Sequence, residues 1–345
     1  MYVMGEKMGL RLVLSGHGYR IGKKSGMIVV YKADGEKKEI SVGNLSTIIV
    51  NAKGVSLSGE AVSLLLKHGI QVVFLSKDKP VGKLQPMMLR SPVALKKEQV
   101  KAQMDQRGTN IAKTIVLNKI INQVKLLKRL SKSRLSLSSG ILSELANRIR
   151  DTMEIYSEIA SAEIESLTRS WLISKEAEAS RYYWECISMI LPEEIGFRGR
   201  KARYDNPEDP FNISLNYMYS LLASQIWFAV ELSGLDPFIG YLHEDNNRRP
   251  SLVMDLMEEF RQPVVDKLLI TYFTKHRAEN VIDENKRLSD EFRKLLLRIF
   301  FEELDRQVTF MNRTISIKGH MYLQPKRLAK YLLALTPSYT PYNVI

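Results

Sequence analysis

Between residues 10 and 88 short runs of branched and aromatic residues alternate with clusters of glycine, aspartate and lysine, a pattern of strands and tight turns. The runs are Arg11-Leu12-Val13-Leu14, Gly26-Met27-Ile28-Val29-Val30-Tyr31, Glu39-Ile40-Ser41-Val42, Thr47-Ile48-Ile49-Val50 and Gln71-Val72-Val73-Phe74-Leu75. One helical segment interrupts them. Ser58 offers an N-cap oxygen, Ala61, Leu64, Leu65 and His68 recur on one face, and Gly69 ends it. His68 has no second imidazole or carboxylate at ligand spacing, so it reads as a helix-surface residue.

Past Ala94 the apolar positions recur with helical spacing almost to the last residue, and Pro80, Pro86 and Pro92 punctuate the change. The pattern predicts an α+β chain, with a small β-rich N-terminal domain over residues 1–92 and a larger all-α domain over residues 93–345. Its 345 residues suit two cores, because single cores seldom grow past about 250 residues. The most apolar stretch, residues 217–235, is broken by Gln225 and Glu231, and no apolar leader opens the chain, so neither a membrane span nor export is expected. Cys186 is the only cysteine, which excludes an internal disulfide or a thiolate-rich metal site and fits a reducing cytoplasm.

Charge sharpens the picture. Lys and Arg exceed Asp and Glu by 51 to 38, a formal net charge of +13. That excess favours a polyanionic partner, nucleic acid first and an anionic membrane surface second, because clustered cations gain free energy by releasing phosphate counterions. Residues 96–134 carry eleven Lys and Arg against Glu98 and Asp105 alone. Like charges at helical spacing repel unless something neutralises them, so this run is expected to contact phosphates.

Three clusters in the helical half combine groups that can do chemistry. In the first, Glu176 shares a helix face with Ala179, Ser180 and Tyr183, and the small residues leave room beside its carboxylate. The second is Gly240-Tyr241-Leu242-His243, where a histidine entering a loop can turn a ring nitrogen into a cleft. In the third, residues 251–261, Asp255 and Glu258 stand three apart, with Glu259 four from Asp255, beside apolar Leu252, Met257 and Phe260. Two carboxylates side by side against an apolar face repel unless a cation lies between them. One imidazole with carboxylates and no thiolate suits Mn²⁺ or Mg²⁺ better than structural zinc. Between the first two clusters, Phe197-Arg198-Gly199-Arg200-Lys201-Ala202-Arg203-Tyr204 interleaves cations and aromatic rings that can pair with phosphates and stack on bases. Arg198, Arg200, Lys201, Arg248 and Arg261 are the candidate DNA contacts.

The ordered series Gly-Leu-Asp-Pro from Gly234, Gly-Tyr-Leu-His from Gly240 and residues 249–261, preceded by residues 40–84, the Glu-x-x-Ala-Ser-x-x-Tyr-Trp run from Glu176 to Trp184 and residues 212–219, resembles the CRISPR-associated spacer-acquisition nuclease and integrase family. The resemblance covers nearly the whole chain. It implies a β-rich N-terminal domain with a helical catalytic domain, and an ion held by Glu176, His243 and Glu258 with Asp255 as a further catalytic acid. Ala177 stands where the family often has Gly, and Glu258 where some members have Asp; neither departure removes a ligand. It also implies action on double-stranded and branched DNA, a homodimer formed through the β domain, and a small ferredoxin-like CRISPR partner bridging two dimers. Replacing Glu176, His243 or Glu258 by Ala is then expected to stop catalysis without unfolding the chain. Two other readings compete: a basic nucleic-acid-binding scaffold without catalysis, and a helical carboxylate metalloenzyme acting on a small molecule. The basicity argues against the latter.

Overall fold

The computed structural model describes residues 2–4, 10–76, 79–84, 93–133, 137–245, 249–276, 281–284 and 286–345. Arg134 and Arg248 lie outside the described residues. The chain divides into two compact units, Met1–Leu89 and Arg90–Ile345, the first built on a sheet and the second mostly helical.

The first unit contains strands β1 (Tyr2–Met4), β2 (Leu10–Lys24), β3 (Met27–Lys32), β4 (Lys37–Ser41), β5 (Leu45–Leu57), β6 (Gln71–Ser76) and β7 (Lys79–Leu84), with helix α1 (Gly59–Lys67) between β5 and β6. They form one sheet in the order β4-β3-β2-β5-β6-β7, with β1 added to β2. The β2–β5 and β5–β6 pairings are parallel and the rest antiparallel. Helix α1 is the crossover that a parallel β5–β6 pair requires. It starts as its sequence demands, with the Ser58 hydroxyl accepting from Ala61 N at 3.2 Å, and it stops before Gly69 at φ +67°. Ala61 and Leu65 are buried with Leu12, Leu14, Ile21, Ile28, Val30, Ile48, Val50 and Val72, while His68 is exposed. Strand β2 runs well past the apolar residues 11–14, because it pairs with β5 as far as Ile21↔Leu57. It bends at Gly18, where φ is +71° and a Cβ would lie 2.8 Å from that of Ala33.

The second unit comprises α2 (Val93–Ala102), α3 (Gln106–Ser133), α4 (Ser139–Ser161), α5 (Arg169–Ile190), α6 (Pro210–Leu232), α7 (Ser251–Met257), α8 (Lys267–Phe273), α9 (Asp290–Asp305) and α10 (Ile317–Leu332). Between α7 and α8 lies a wider π-type turn, Arg261–Asp266. Pro263 inside it has no N–H, so the ordinary i to i−4 ladder cannot continue and Lys267 N reaches back to Gln262 O. Helix α3 packs on α4 and α5, and α6 on α7 and α10. The apolar stretch at residues 217–235 is mostly this α6, buried nearly all round by its neighbours. No described helix is long and apolar enough to cross a membrane.

One element departs from the all-helical expectation, a hairpin of β8 (Gln307–Phe310) and β9 (Arg313–Ser316). Its turn residues Met311 and Asn312 both have positive φ, at 50° and 58°. A two-residue turn of this kind normally announces itself by Asn-Gly or Asp-Gly, and here there is no glycine to read.

The basic run at residues 96–133 is two helices, and much of its charge is used internally. Arg107 pairs with Glu98 and Asp105 and donates to Leu332 O. Lys113 caps the carbonyls of Ala160 and Ala162 at the end of α4, and Lys125 and Arg129 hold the carbonyls of Asn343 and Ile345. The expectation that the run contacts phosphates is narrowed to its exposed members: Lys96, Lys97, Lys101, Lys128 and Lys132 are exposed, whereas Lys119 is buried.

Candidate active site

Glu176 lies about two turns into α5, whose start is fixed by Thr168 Oγ1 accepting from Trp171 N at 3.2 Å. Its face is the one the spacing implied. Ser180, one turn on, donates its hydroxyl to Glu176 Oε1 at 2.8 Å and accepts from Gln123 of α3 at 3.1 Å. Tyr183, a turn further, is buried and donates to Asp266 at 2.9 Å.

His243 sits in the loop between α6 and α7, and that loop is held from three sides. Gln99 of α2 donates to Asp236 O and Ile239 O at 2.9 and 3.0 Å and accepts from Asp236 N at 2.8 Å. Gln103, a turn later, donates to Gly240 O at 2.7 Å, and Arg169 of α5 donates to Tyr241 O at 3.0 Å. The third side is Asp255, fully buried in α7. Its two oxygens accept from the backbone N–H of Tyr241, Leu242 and His243 at 2.6, 3.0 and 2.9 Å, and Oδ1 lies 2.7 Å from His243 Nδ1. Gly240 makes this approach possible, since a Cβ there would lie 2.6 Å from Ser251 Cβ and 3.0 Å from Asp255 Oδ2.

A carboxylate oxygen accepts, so Nδ1 donates toward Asp255 and Nε2 is the ring nitrogen left to meet another partner. This is the arrangement that orients metal-binding histidines. Among the described residues Nε2 has no hydrogen-bond partner.

Glu258 follows the last turn of α7 and is 2% exposed, enough burial that its charge must be matched. Arg261 approaches Oε1 at 3.1 Å and Lys119 of α3 approaches Oε2 at 2.7 Å. Lys119 also pairs with Glu176 Oε1, so one ammonium joins the two glutamates. Burial alone would raise the Glu258 carboxyl, but Arg261, Lys119 and His243 together hold it below the usual range. The same balance keeps Lys119 charged: burial opposes the ammonium, and Glu176 and Glu258 outweigh it.

Two corrections follow. Asp255 and Glu258 are three apart, yet they do not face each other across a shared cation. Asp255 is saturated by the His243 loop, and Glu258 has its own two cations. Glu259 turns away altogether; Tyr339, Gln324 and the N–H of Tyr342 surround it, and burial pushes its carboxyl up to about 7 against those three donors.

Of the candidate DNA contacts, Arg198 is exposed and so is Lys201. Arg200 points inward, donating to Asn216 Oδ1 at 2.7 Å and Asn212 Oδ1 at 3.1 Å, with its guanidinium 5.4 Å from the centre of the Tyr219 ring. Arg261 lies 4.8 Å from the same ring centre. Tyr219 is in turn fixed by Asp266, which accepts its hydroxyl at 2.5 Å. Phe197 belongs to an edge-to-face chain with Trp184 and Phe211 and cannot stack on a base; Tyr204 is the exposed ring of that segment.

Among the described residues no three His, Cys, Asp or Glu side chains close around one point tightly enough to enclose an ion. Glu176 and Glu258 nevertheless converge, and their meeting point holds the ammonium of Lys119. Two carboxylates with an imidazole nitrogen are the kind of donor set that a moderately hard divalent ion accepts. Lys119 and the clamp residues Gln99 and Gln103 are what sequence reasoning missed. The missed signal is a polar stripe, Asn118, Lys119, Asn122 and Gln123, all buried inside the apolar face of α3.

The fold is a sheet unit followed by a helical unit in which two glutamates, Glu176 and Glu258, meet at one buried lysine. The chain belongs to the CRISPR-associated Cas1 family, whose model matches residues 12–302. It is 33% identical to the CRISPR-associated endonuclease Cas1 1 of Archaeoglobus fulgidus, over 94% of this chain and 96% of that one. Among solved structures it resembles a casposase bound to integration product, with a TM-score of 0.81 at 22% identity, covering 95% of this chain and 92% of that one. It also resembles a chain of a Cas6-RT-Cas1–Cas2 complex, with a TM-score of 0.77 at 21% identity, covering all of this chain and 37% of that one.

Proposed function

We propose that the protein is a divalent-metal-dependent DNA endonuclease and integrase that inserts captured DNA fragments into a CRISPR array by transesterification. The observation that carries this reading is the convergence of Glu176 and Glu258, in a chain of net charge +13 whose His243 ring is held by Asp255. Family membership and relatives named as endonucleases support it.

The reaction needs positioning and charge neutralisation more than covalent help from the protein. A fragment's 3′-hydroxyl oxygen bonds to phosphorus of the target strand, the target's own 3′-oxygen leaves with a proton, and one phosphodiester replaces another. Water in place of the hydroxyl gives cleavage. Glu176, Glu258 and His243 Nε2 would hold Mn²⁺ or Mg²⁺, which when bound supplies positive charge to the phosphate oxygens. Asp255 is then a positioning residue: it fixes the imidazole without touching the reaction. Arg261, braced on Tyr219, keeps the Glu258 carboxylate ionised.

The substrate in this reading is double-stranded and branched DNA. The assembly is a homodimer built through the first unit, joined to a small ferredoxin-like CRISPR partner. A neighbour solved as a Cas6-RT-Cas1–Cas2 complex supports a Cas partner.

Exposed Arg198 and Lys201 should meet DNA backbone, whereas Arg200 should not. Each phosphate contact steepens the salt dependence of affinity by about one unit on a log-log plot. Replacing Arg198 and Lys201 together by Ala is expected to flatten that plot by up to ~2 units. Arg200→Ala should leave the slope unchanged and lower the melting temperature. A slope that responds to Arg200 alone would reverse the assignment.

The test of the reading is a branched-DNA assay with Mn²⁺ or with a chelator. Cleavage and joined product are expected only with the ion. DNA binding with no cleavage under any divalent ion would favour the non-catalytic scaffold.

A further inference from the structure

Lys119 occupies an unusual place for a lysine in a basic run. It is 7% exposed, in the middle of α3, and its ammonium lies between Glu176 and Glu258, 2.7 Å from Glu258 Oε2 and in contact with Glu176 Oε1. A compact ammonium on a flexible stem can meet both carboxylates at once. Its backbone is held firmly, because Asn118 and Asn122 on either side both bind the carbonyl of Tyr342. The flexible part is the four-carbon stem.

The charges at this point balance. Glu176 and Glu258 contribute two negative charges, Lys119 and Arg261 two positive ones. Arg261 approaches Glu258 from the other oxygen and is braced on the Tyr219 ring, so it can stay in place when another cation arrives. Lys119 cannot, because it stands where the two carboxylates meet. A divalent ion bound there would displace the ammonium; the two carboxylates, Arg261 and the ion would then carry one surplus positive charge, and two while the ammonium stays close by. A phosphodiester under attack carries a comparable surplus of negative charge, and a compact ammonium on a flexible stem is a phosphate ligand as well as a carboxylate one.

We propose that Lys119 is a further catalytic residue with two positions: without an ion its ammonium fills the point between Glu176 and Glu258, and with the ion bound it turns to the reacting phosphate. This rests on the metal-site reading above. In the second position it neutralises charge on the non-bridging oxygens and neither gains nor loses a bond; the leaving 3′-oxygen takes its proton from elsewhere. The placeholder position keeps the two glutamates folded together before the ion arrives. It also makes the lysine a competitor of the ion.

The test uses the full chain and Lys119→Met, which keeps length and volume but removes the charge. Mn²⁺ binding without DNA is measured by calorimetry, and melting temperature is recorded with and without Mn²⁺. Losing the competitor should tighten Mn²⁺ binding by about tenfold or more. The variant should melt below the wild type without the ion, and the gap should close when Mn²⁺ saturates the site. Strand transfer at saturating Mn²⁺ should fall on the order of 10²-fold in kcat, with DNA affinity nearly unchanged. Should Lys119→Met be insoluble, Lys119→Gln serves for the same titration. Equal or weaker Mn²⁺ binding by the variant, or wild-type turnover at saturating Mn²⁺, overturns the proposal and leaves the metal site standing. If neither protein binds Mn²⁺, the metal reading fails and the proposal with it.

Discussion

Glu258→Gln is expected to lower DNA cleavage and strand transfer by on the order of 10³-fold while the protein stays folded. The carboxylate is 2% exposed and lies between Lys119 and Arg261. An amide fills the same space and keeps one acceptor oxygen for one of the two cations, but gives up the charge that would bind an ion. Glu258→Ala should behave differently, because it leaves two cations facing a cavity. Stranding a buried charge costs roughly 3–5 kcal/mol, which in a unit of this size lowers the melting temperature by on the order of 10 °C. The sequence alone implied that alanine would silence the site without disturbing the fold. The buried partners of Glu258 are why the glutamine variant is the cleaner probe. Circular dichroism melts alongside a strand-transfer assay distinguish the two. Near wild-type turnover in Glu258→Gln would remove this residue from the site.

Asp255→Asn is expected to have the second largest effect, and to act on stability and activity together. The buried carboxylate accepts from three backbone N–H groups and lies 2.7 Å from His243 Nδ1. Asparagine offers one oxygen and turns an N–H₂ toward donors. Hydrogen bonds to a charged group contribute roughly 1.5–3 kcal/mol each, so losing two should cost at least ~3 kcal/mol and again lower the melting temperature by on the order of 10 °C. His243 then loses its fixed tautomer, and a residue that only orients a metal ligand typically accounts for about 10–100-fold in affinity or activity. Mn²⁺ titration of the variant should therefore show weakened binding with the site still present. An unchanged melting curve would mean that Gln99, Gln103 and Arg169 hold the His243 loop without Asp255.

How much of this was legible in sequence depended on whether the information was local. The cap and stop of α1 at Ser58 and Gly69 are local and were readable. So was the Glu176, Ala179, Ser180, Tyr183 face, because a helix of known period determines it. The role of Asp255 was not, since what it binds is a loop twelve to fourteen residues earlier, and spacing within α7 cannot say which way that loop folds. Lys119 was hidden by its company. Counted among the basic residues of 96–134 it reads as one more surface contact to phosphate, yet three polar neighbours on the buried stripe of α3 set it apart. Arg200 failed the same way: the run around it suggests a phosphate contact, while Asn212 and Asn216, one turn apart on α6, draw it inward. Interior cations look like surface cations until their partners are known.

The central claim is that Glu176, His243 and Glu258 bind one catalytic divalent ion. Crystals of the protein grown with Mn²⁺, measured for anomalous scattering at the manganese edge, test it directly. A single strong peak is expected about 2.1 Å from Glu176 and Glu258 oxygens and from His243 Nε2, with the Lys119 ammonium moved away from the point it now fills. A manganese peak held by other residues, or none at a concentration that supports strand transfer, would contradict it.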